Sequence, residues 1–116
     1  MISIKRAYEE PQEADGYRVL VDRLWPRGLS KERAKINYWL KEIAPSKELR
    51  QWFNHDPEKF DLFKDKYEKE LVENKEAYAK LLSIVAEKEN ITFIYSAKDQ
   101  LMNNAAVLKA FIEGKK

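Results

Sequence analysis

The chain contains no cysteine, which excludes disulfides, thiolate zinc sites and a cysteine nucleophile. Glycine is almost as scarce, with only Gly16, Gly28 and Gly114. They lie too far apart for a G-x-G-x-x-G turn or a phosphate-cradling P-loop, so dinucleotide cofactors and Walker-type nucleotide hydrolysis are not expected. A single histidine, His55, cannot build a multi-histidine metal site. An all-carboxylate magnesium site stays open but has no diagnostic spacing, and neither metal nor cofactor is the leading expectation. None of the serines lies in a G-x-S-x-G elbow. No apolar run approaches about 18 residues, and the opening MISIKRAYEE lacks the apolar core of a signal peptide. The expected setting is therefore the cytoplasm, with no membrane partner.

Charge is plentiful but balanced. The 22 Lys and Arg against 20 Asp and Glu leave a formal net charge of +2, so any attraction for anions must come from local clustering. Charged residues make up 36% and hydrophobic ones 44% of the 116 residues. That combination describes one domain over residues 1–116, with an ordinary core under a highly charged surface.

Ile2-Ser3-Ile4-Lys5-Arg6-Ala7 alternates weakly and predicts a first strand. Asp15-Gly16 then signals a turn. Tyr17-Arg18-Val19-Leu20-Val21 is a clear strand whose Val-Leu-Val run implies burial on both faces, as in a parallel sheet. Pro26 and Gly28 break it into a loop. Ser30 is placed to cap a short helical turn through Lys35, and residues 36–43 read as strand or extended loop. Ser46 is an N-cap for a short helix that buries Leu49, Trp52 and Phe53. Asp56-Pro57 begins another helix over residues 57–73, with Phe60, Phe63, Tyr67 and Leu71 on one buried stripe. Asn74 interrupts it. Tyr78, Leu81, Leu82 and Val85 form the stripe of a further helix to about Glu89. Ile91-Thr92-Phe93-Ile94-Tyr95 is a second firm strand. A last helix is expected from about Gln100 to Ile112, packing Leu101, Ala105, Leu108 and Ile112 and ending at Gly114.

This order predicts an α/β fold: a small layered domain with a mostly parallel sheet of three to four strands flanked by helices. Parallel neighbours would bring the polar ends of the two firm strands, Asp22-Arg23 and Ser96 to Asp99, to one edge of the sheet. Ligands of such sheets bind outside the carboxyl ends of the strands.

The stretch VDRLWPRG is the strongest site signal. Arg23 and Arg27 flank Trp25, and planar guanidiniums suit bidentate carboxylate or phosphate contacts while an indole offers a stacking face. The purely structural alternative pairs Arg23 with Asp22 or with Glu70 and leaves Trp25 covering the core. His55 precedes a helix start and is a candidate acid or base, or a loop histidine satisfying a carbonyl. Asp99 is a candidate general base, or simply the N-cap of the last helix. Arg50 and Lys98 are supplementary cations.

The segments GYRVLVDRLWPRG, APSKELRQWFNHDPEKFDLFKDKYEKEL and IYSAKDQLMNNAAVL resemble the YeaO-like proteins of the domain-of-unknown-function 488 family, over roughly residues 2 to 112. The resemblance implies an α/β domain and no particular reaction. Its motif positions on this chain include Asp22, Arg23, Trp25, Arg27, Ser46, Arg50, His55, Glu70, Lys98, Asp99 and Asn103. It also implies a histidine where this chain has Met102, and a Cys-His-Arg cluster in this region of more distant members.

The leading expectation is a crevice at the strand ends that binds an anionic small molecule, with Asp22, Arg23, Trp25, Arg27, Arg50, Lys98 and Asn103 as ligand-binding residues. His55 and Asp99 are the candidates for acid/base catalysis if chemistry follows. Basic residues interleaved with aromatics leave nucleic-acid binding, or a protein-interaction role, as the alternatives. The sequence leaves enzymatic activity and oligomeric state open.

Overall fold

The computed structural model describes residues 1–114. Four strands form one sheet in the order β1-β4-β2-β3: β1 (Ile2–Arg6), β4 (Ile91–Tyr95), β2 (Tyr17–Leu20) and β3 (Tyr38–Trp39). Every neighbouring pair is parallel, so the α/β expectation holds. β4 is central because all five of its residues are apolar enough, or small enough, to be buried on both faces. Its register aligns Ile91 with Ile2 and Tyr17, and Ile94 with Lys5 and Leu20. The strands must therefore end side by side, at Tyr95 and Leu20.

One face of the sheet carries the larger core. Val19, Ile91, Phe93 and Tyr95 meet Leu49 and Phe53 of α2 (Lys47–Phe53), and Phe63, Tyr67 and Leu71 of α3 (Phe60–Glu73). α4 (Lys75–Glu87) adds Ala77 and Leu81. α5 (Asn104–Gly114) adds Ala105, Val107, Leu108 and Ile112. The caps are those the sequence announces. Ser46 Oγ accepts from Leu49 N, and Asp56 Oδ1 accepts from Glu58 N at the Pro57–Lys59 turn that leads into α3. Ser30 caps α1 (Lys31–Ala34), which closes on a left-handed Lys35. Among the described residues no long helix covers the other face. Ala7, Leu20 and Ile94 are roofed there by Trp25, Leu29, Ile36 and Trp39 from the chain around α1.

Gly16 makes the turn into β2. Its φ of +67° suits glycine, and a Cβ there would lie 2.3 Å from the Asn90 carbonyl oxygen. Among the described residues no helix is long and apolar enough to cross a membrane.

Two expectations are corrected. The last helix begins at Asn104, not near Gln100. Asp99 Oδ1 accepts from the Leu101 and Met102 amides and so bends the chain. Asn103 Oδ1 then accepts from Ala106 N as the cap of α5. Leu101 consequently lies on this bend, 79% exposed, outside the core. Leu82 is likewise 41% exposed, outside the α4 stripe.

Candidate functional site at the strand ends

Where β2 and β4 finish, Asp22 ties their tips together. Its Oδ2 accepts from Ser96 N at 2.9 Å and Ser96 Oγ at 2.6 Å. Its Oδ1 accepts from Asn104 Nδ2 at 3.1 Å, and the same amide donates to the Val21 carbonyl. The Asp22 carbonyl takes the Trp39 indole N–H at 2.8 Å. Asp22 is thus a clasp between two strand ends and the first residue of α5, with both carboxylate oxygens engaged. Asp22 and Asp99 do follow strands that end on the same edge, but Ser96, not Asp99, is the group that meets Asp22.

Beside this clasp lies a crevice of about 570 Å³. Its walls are the loop after β2, the end of α2 with the turn that follows, and the segments around Ser96 and Met102. Of the expected site residues, Asp22, Arg23, Trp25, Arg27, Arg50, His55 and Asn103 line it. Lys98 and Asp99 do not; both are exposed. Asp99 is occupied as a turn cap, and the Met102 and Leu101 amides hold its carboxyl below the usual range.

The three arginines of the crevice are poorly paired. Arg23 Nη2 donates to the Ala44 carbonyl at 3.2 Å, while its Nε is buried without an acceptor. Arg50 Nε is also buried without an acceptor. The exposed Arg27 is held only through its backbone, whose carbonyl accepts from Tyr8 Oη at 2.9 Å. Among the described residues, no carboxylate oxygen lies within 4.0 Å of any of these guanidiniums. Neither partner considered for Arg23 serves it. Asp22 is spent on the clasp, and Glu70 accepts from Ser46 N at 2.8 Å and Ser46 Oγ at 2.6 Å. Nearby Tyr67 is a neutral donor to the Ile43 carbonyl. Burial, with the charges of Asp22 and Glu70 adding to it and Arg23 opposing, drives its hydroxyl far above the usual tyrosine range.

Trp25 is more roof than platform. Its Nε1 donates to the Leu29 carbonyl at 2.5 Å, and its ring meets Trp39 edge-on at 5.5 Å and 68°. Asn103 is 2% exposed and engaged at both ends, donating to the Asp99 carbonyl and accepting from Ala106 N. His55 is exposed at the rim, 6.2 Å from the Phe53 ring, and makes no hydrogen bond among the described residues. It follows Asn54, and both have left-handed backbone, at φ 55° and 45°.

Ser96 and Asn104 complete the clasp; sequence reasoning placed Ser96 at the strand tip without a role of its own and passed over Asn104. The signal available was a serine at a strand tip and the second asparagine of a pair at a helix start. Also missed was a charge cluster on the opposite face of the sheet. Asp15 bonds Arg18 Nη1 at 2.6 Å and Lys5 Nζ at 3.1 Å, and Arg18 donates twice to the Ala34 carbonyl. Among the described residues, no group of His, Cys, Asp and Glu comes together that could hold a metal ion.

The comparisons with known proteins bear on the family of the chain. A family model described as the inactive DUF488-N3 subclade matches residues 1–116. The YeaO protein of Escherichia coli K12 is 43% identical over 107 residues, covering 92% of this chain and 92% of its own. The Rv3073c protein of Mycobacterium tuberculosis H37Rv is 38% identical over 114 residues, covering 98% of this chain and 95% of its own. No solved structure matches significantly.

Proposed function

The chain belongs to the domain-of-unknown-function 488 family, and from that premise we propose that it binds an anionic small molecule in the strand-end crevice and leaves it chemically unchanged. One observation carries the reading: Arg23 and Arg50 present buried Nε donors without acceptors, and no carboxylate neutralises them or Arg27. A buried donor left unsatisfied costs about 1–3 kcal/mol, and clustered like charges add to it. An anion between them removes both costs, and each charge-assisted bond contributes about 1.5–3 kcal/mol.

Binding without turnover is favoured by what surrounds the arginines. Asp22 has both oxygens engaged, Asp99 lies off the crevice, and His55 has no hydrogen-bond partner among the described residues to orient it as an acid or base. Met102 stands where the family resemblance implies a histidine. The description of the matching subclade as inactive supports the same conclusion.

The test follows melting temperature while phosphate, sulfate and small nucleotides are titrated into the wild type, Arg23→Gln, Arg27→Gln and Arg50→Gln. A ligand at about a hundred times its Kd stabilises by about 2.7 kcal/mol, a shift of several degrees for a chain of this size. Stabilisation of the wild type that is lost in Arg23→Gln or Arg50→Gln is the expected result. If no anion shifts the wild type, the reading is wrong.

A further inference from the structure

We infer that the ligand is a phosphomonoester with a flat, apolar or aromatic body, its head shared by the Arg23 and Arg50 guanidiniums and its body lying toward Phe53; this rests on the anion-binding reading above. The head is argued from the donors. Arg23 leaves the loop after β2 and Arg50 leaves α2, so the two side chains line the crevice from different elements, each with a buried Nε that lacks an acceptor. A carboxylate has two coplanar oxygens, which one guanidinium fork engages together in a single plane. Two forks from different elements, with Arg27 as a third cation at the rim, suit three tetrahedrally arranged oxygens and about −1.5 to −2 of charge, which a phosphomonoester supplies. The N-terminus of α5 does not compete for the head, because the Asn103 side chain already caps it.

The body is argued from what the crevice withholds. Among the described residues Asp22 is the only carboxylate lining it, and both oxygens are engaged. No unengaged carboxylate is there to hold an ammonium group, so amino acids and polyamines gain no charged second anchor. The rest of the lining is largely apolar, with Leu24, Ala44, Pro45, Phe53, Phe63 and Met102. At the mouth, Asn54 and His55 share a left-handed turn that residues other than glycine rarely adopt. Their side chains, like that of Gln51, make no hydrogen bond among the described residues. The turn holds two side chains with free polar atoms at the mouth, where heteroatoms on the edge of a flat body can be read.

The experiment measures affinity for three probes, inorganic phosphate, phenyl phosphate and benzoate, by calorimetry. Phenyl phosphate is expected to bind about tenfold more tightly than either of the others, as burial of an aromatic body on an anchored head should give. Leu24→Ser alters a side chain that is 67% exposed and should fold normally. It is expected to weaken phenyl phosphate toward the level of inorganic phosphate while leaving inorganic phosphate unchanged. Arg50→Lys keeps the charge but removes Nε, and it should weaken both phosphates. Equal affinity for phenyl and inorganic phosphate overturns the apolar body, and benzoate matching phenyl phosphate overturns the tetrahedral head; in both cases anion binding itself survives. Failure of all three probes removes the anion-binding reading and this inference together.

Discussion

Arg18 and Arg23 stand on either side of the end of β2. Arg18 is 3% exposed, yet Asp15 meets its Nη1 at 2.6 Å and the Ala34 carbonyl takes both Nε and Nη2. Arg23 has one bond, to the Ala44 carbonyl, and a buried Nε with no acceptor. The first guanidinium is closed by a carboxylate three residues earlier in the chain, and the second is left open beside a crevice. A charge that belongs to the fold brings its countercharge with it. One that serves the proposed anion site would not, because a resident carboxylate would compete with the ligand for the same donors.

The largest effect should come from opening the closed cluster. Asp15→Ala strands Arg18 in the interior, and loss of one partner of a buried pair costs about 3–5 kcal/mol, measurable as a lowered urea midpoint. Cutting the clasp comes next. Asp22→Ala frees the Ser96 and Asn104 donors, and hydrogen bonds to a charged group are worth about 1.5–3 kcal/mol each without being additive. A loss of about 2–3 kcal/mol is expected, with hydrogen exchange accelerating first at Ser96.

The Asp15 cluster also predicts a pH dependence. Burial by itself would raise the Asp15 carboxyl, but the Gln12 amide, Lys5 and Arg18 together hold it below the usual range. Its contribution to stability is therefore complete above the unfolded-state value of about 3.9 and is lost as pH falls through the lower folded value. Asp15→Asn should flatten the stability profile below about pH 4; an unchanged acid limb would show that other carboxylates govern it. The smallest effect belongs to the open cluster. Arg50→Gln should change the stability of the unliganded protein by less than about 1 kcal/mol, in either direction, since it removes a like charge from the crevice. A loss as large as that of Asp15→Ala would erase the contrast.

Much of the fold is legible in the sequence because it follows from local patterns. Val19-Leu20-Val21 and Ile91 to Tyr95 announce strands covered on both faces. The spacing of Phe60, Phe63, Tyr67 and Leu71 announces α3, and Ser30, Ser46 and Asp56 announce their helix starts. The start of α5 is not legible, since Asp99 and Asn103 are both good caps and only the tertiary contact of Asn104 with Asp22 selects the second. The same holds for the site. Most of the residues that gather at the strand ends, though not Asn104, can be named in advance, but which cations stay unpaired depends on carboxylates being consumed elsewhere. Glu70 goes to Ser46 and Asp22 to Ser96, and no spacing in the chain announces either. Arg18 escaped notice for a related reason. Nothing in the spacing of the chain marks Arg18 as paired until Asp15 is seen folded back across the turn.

The place of β4 in the sheet sets an order on the protein's synthesis. β1 and β2 leave the ribosome early, yet they never touch as partners; the strand that joins them is Ile91–Tyr95, made long afterwards. Until then a nascent chain carries two short strands with a slot between them that only its own distant end can fill. Pairing across such sequence distances is slow and leaves strand edges open in the meantime. Translation that stalls before Ile91 should therefore yield a product that aggregates or is degraded, however complete its α2, α3 and α4 helices are.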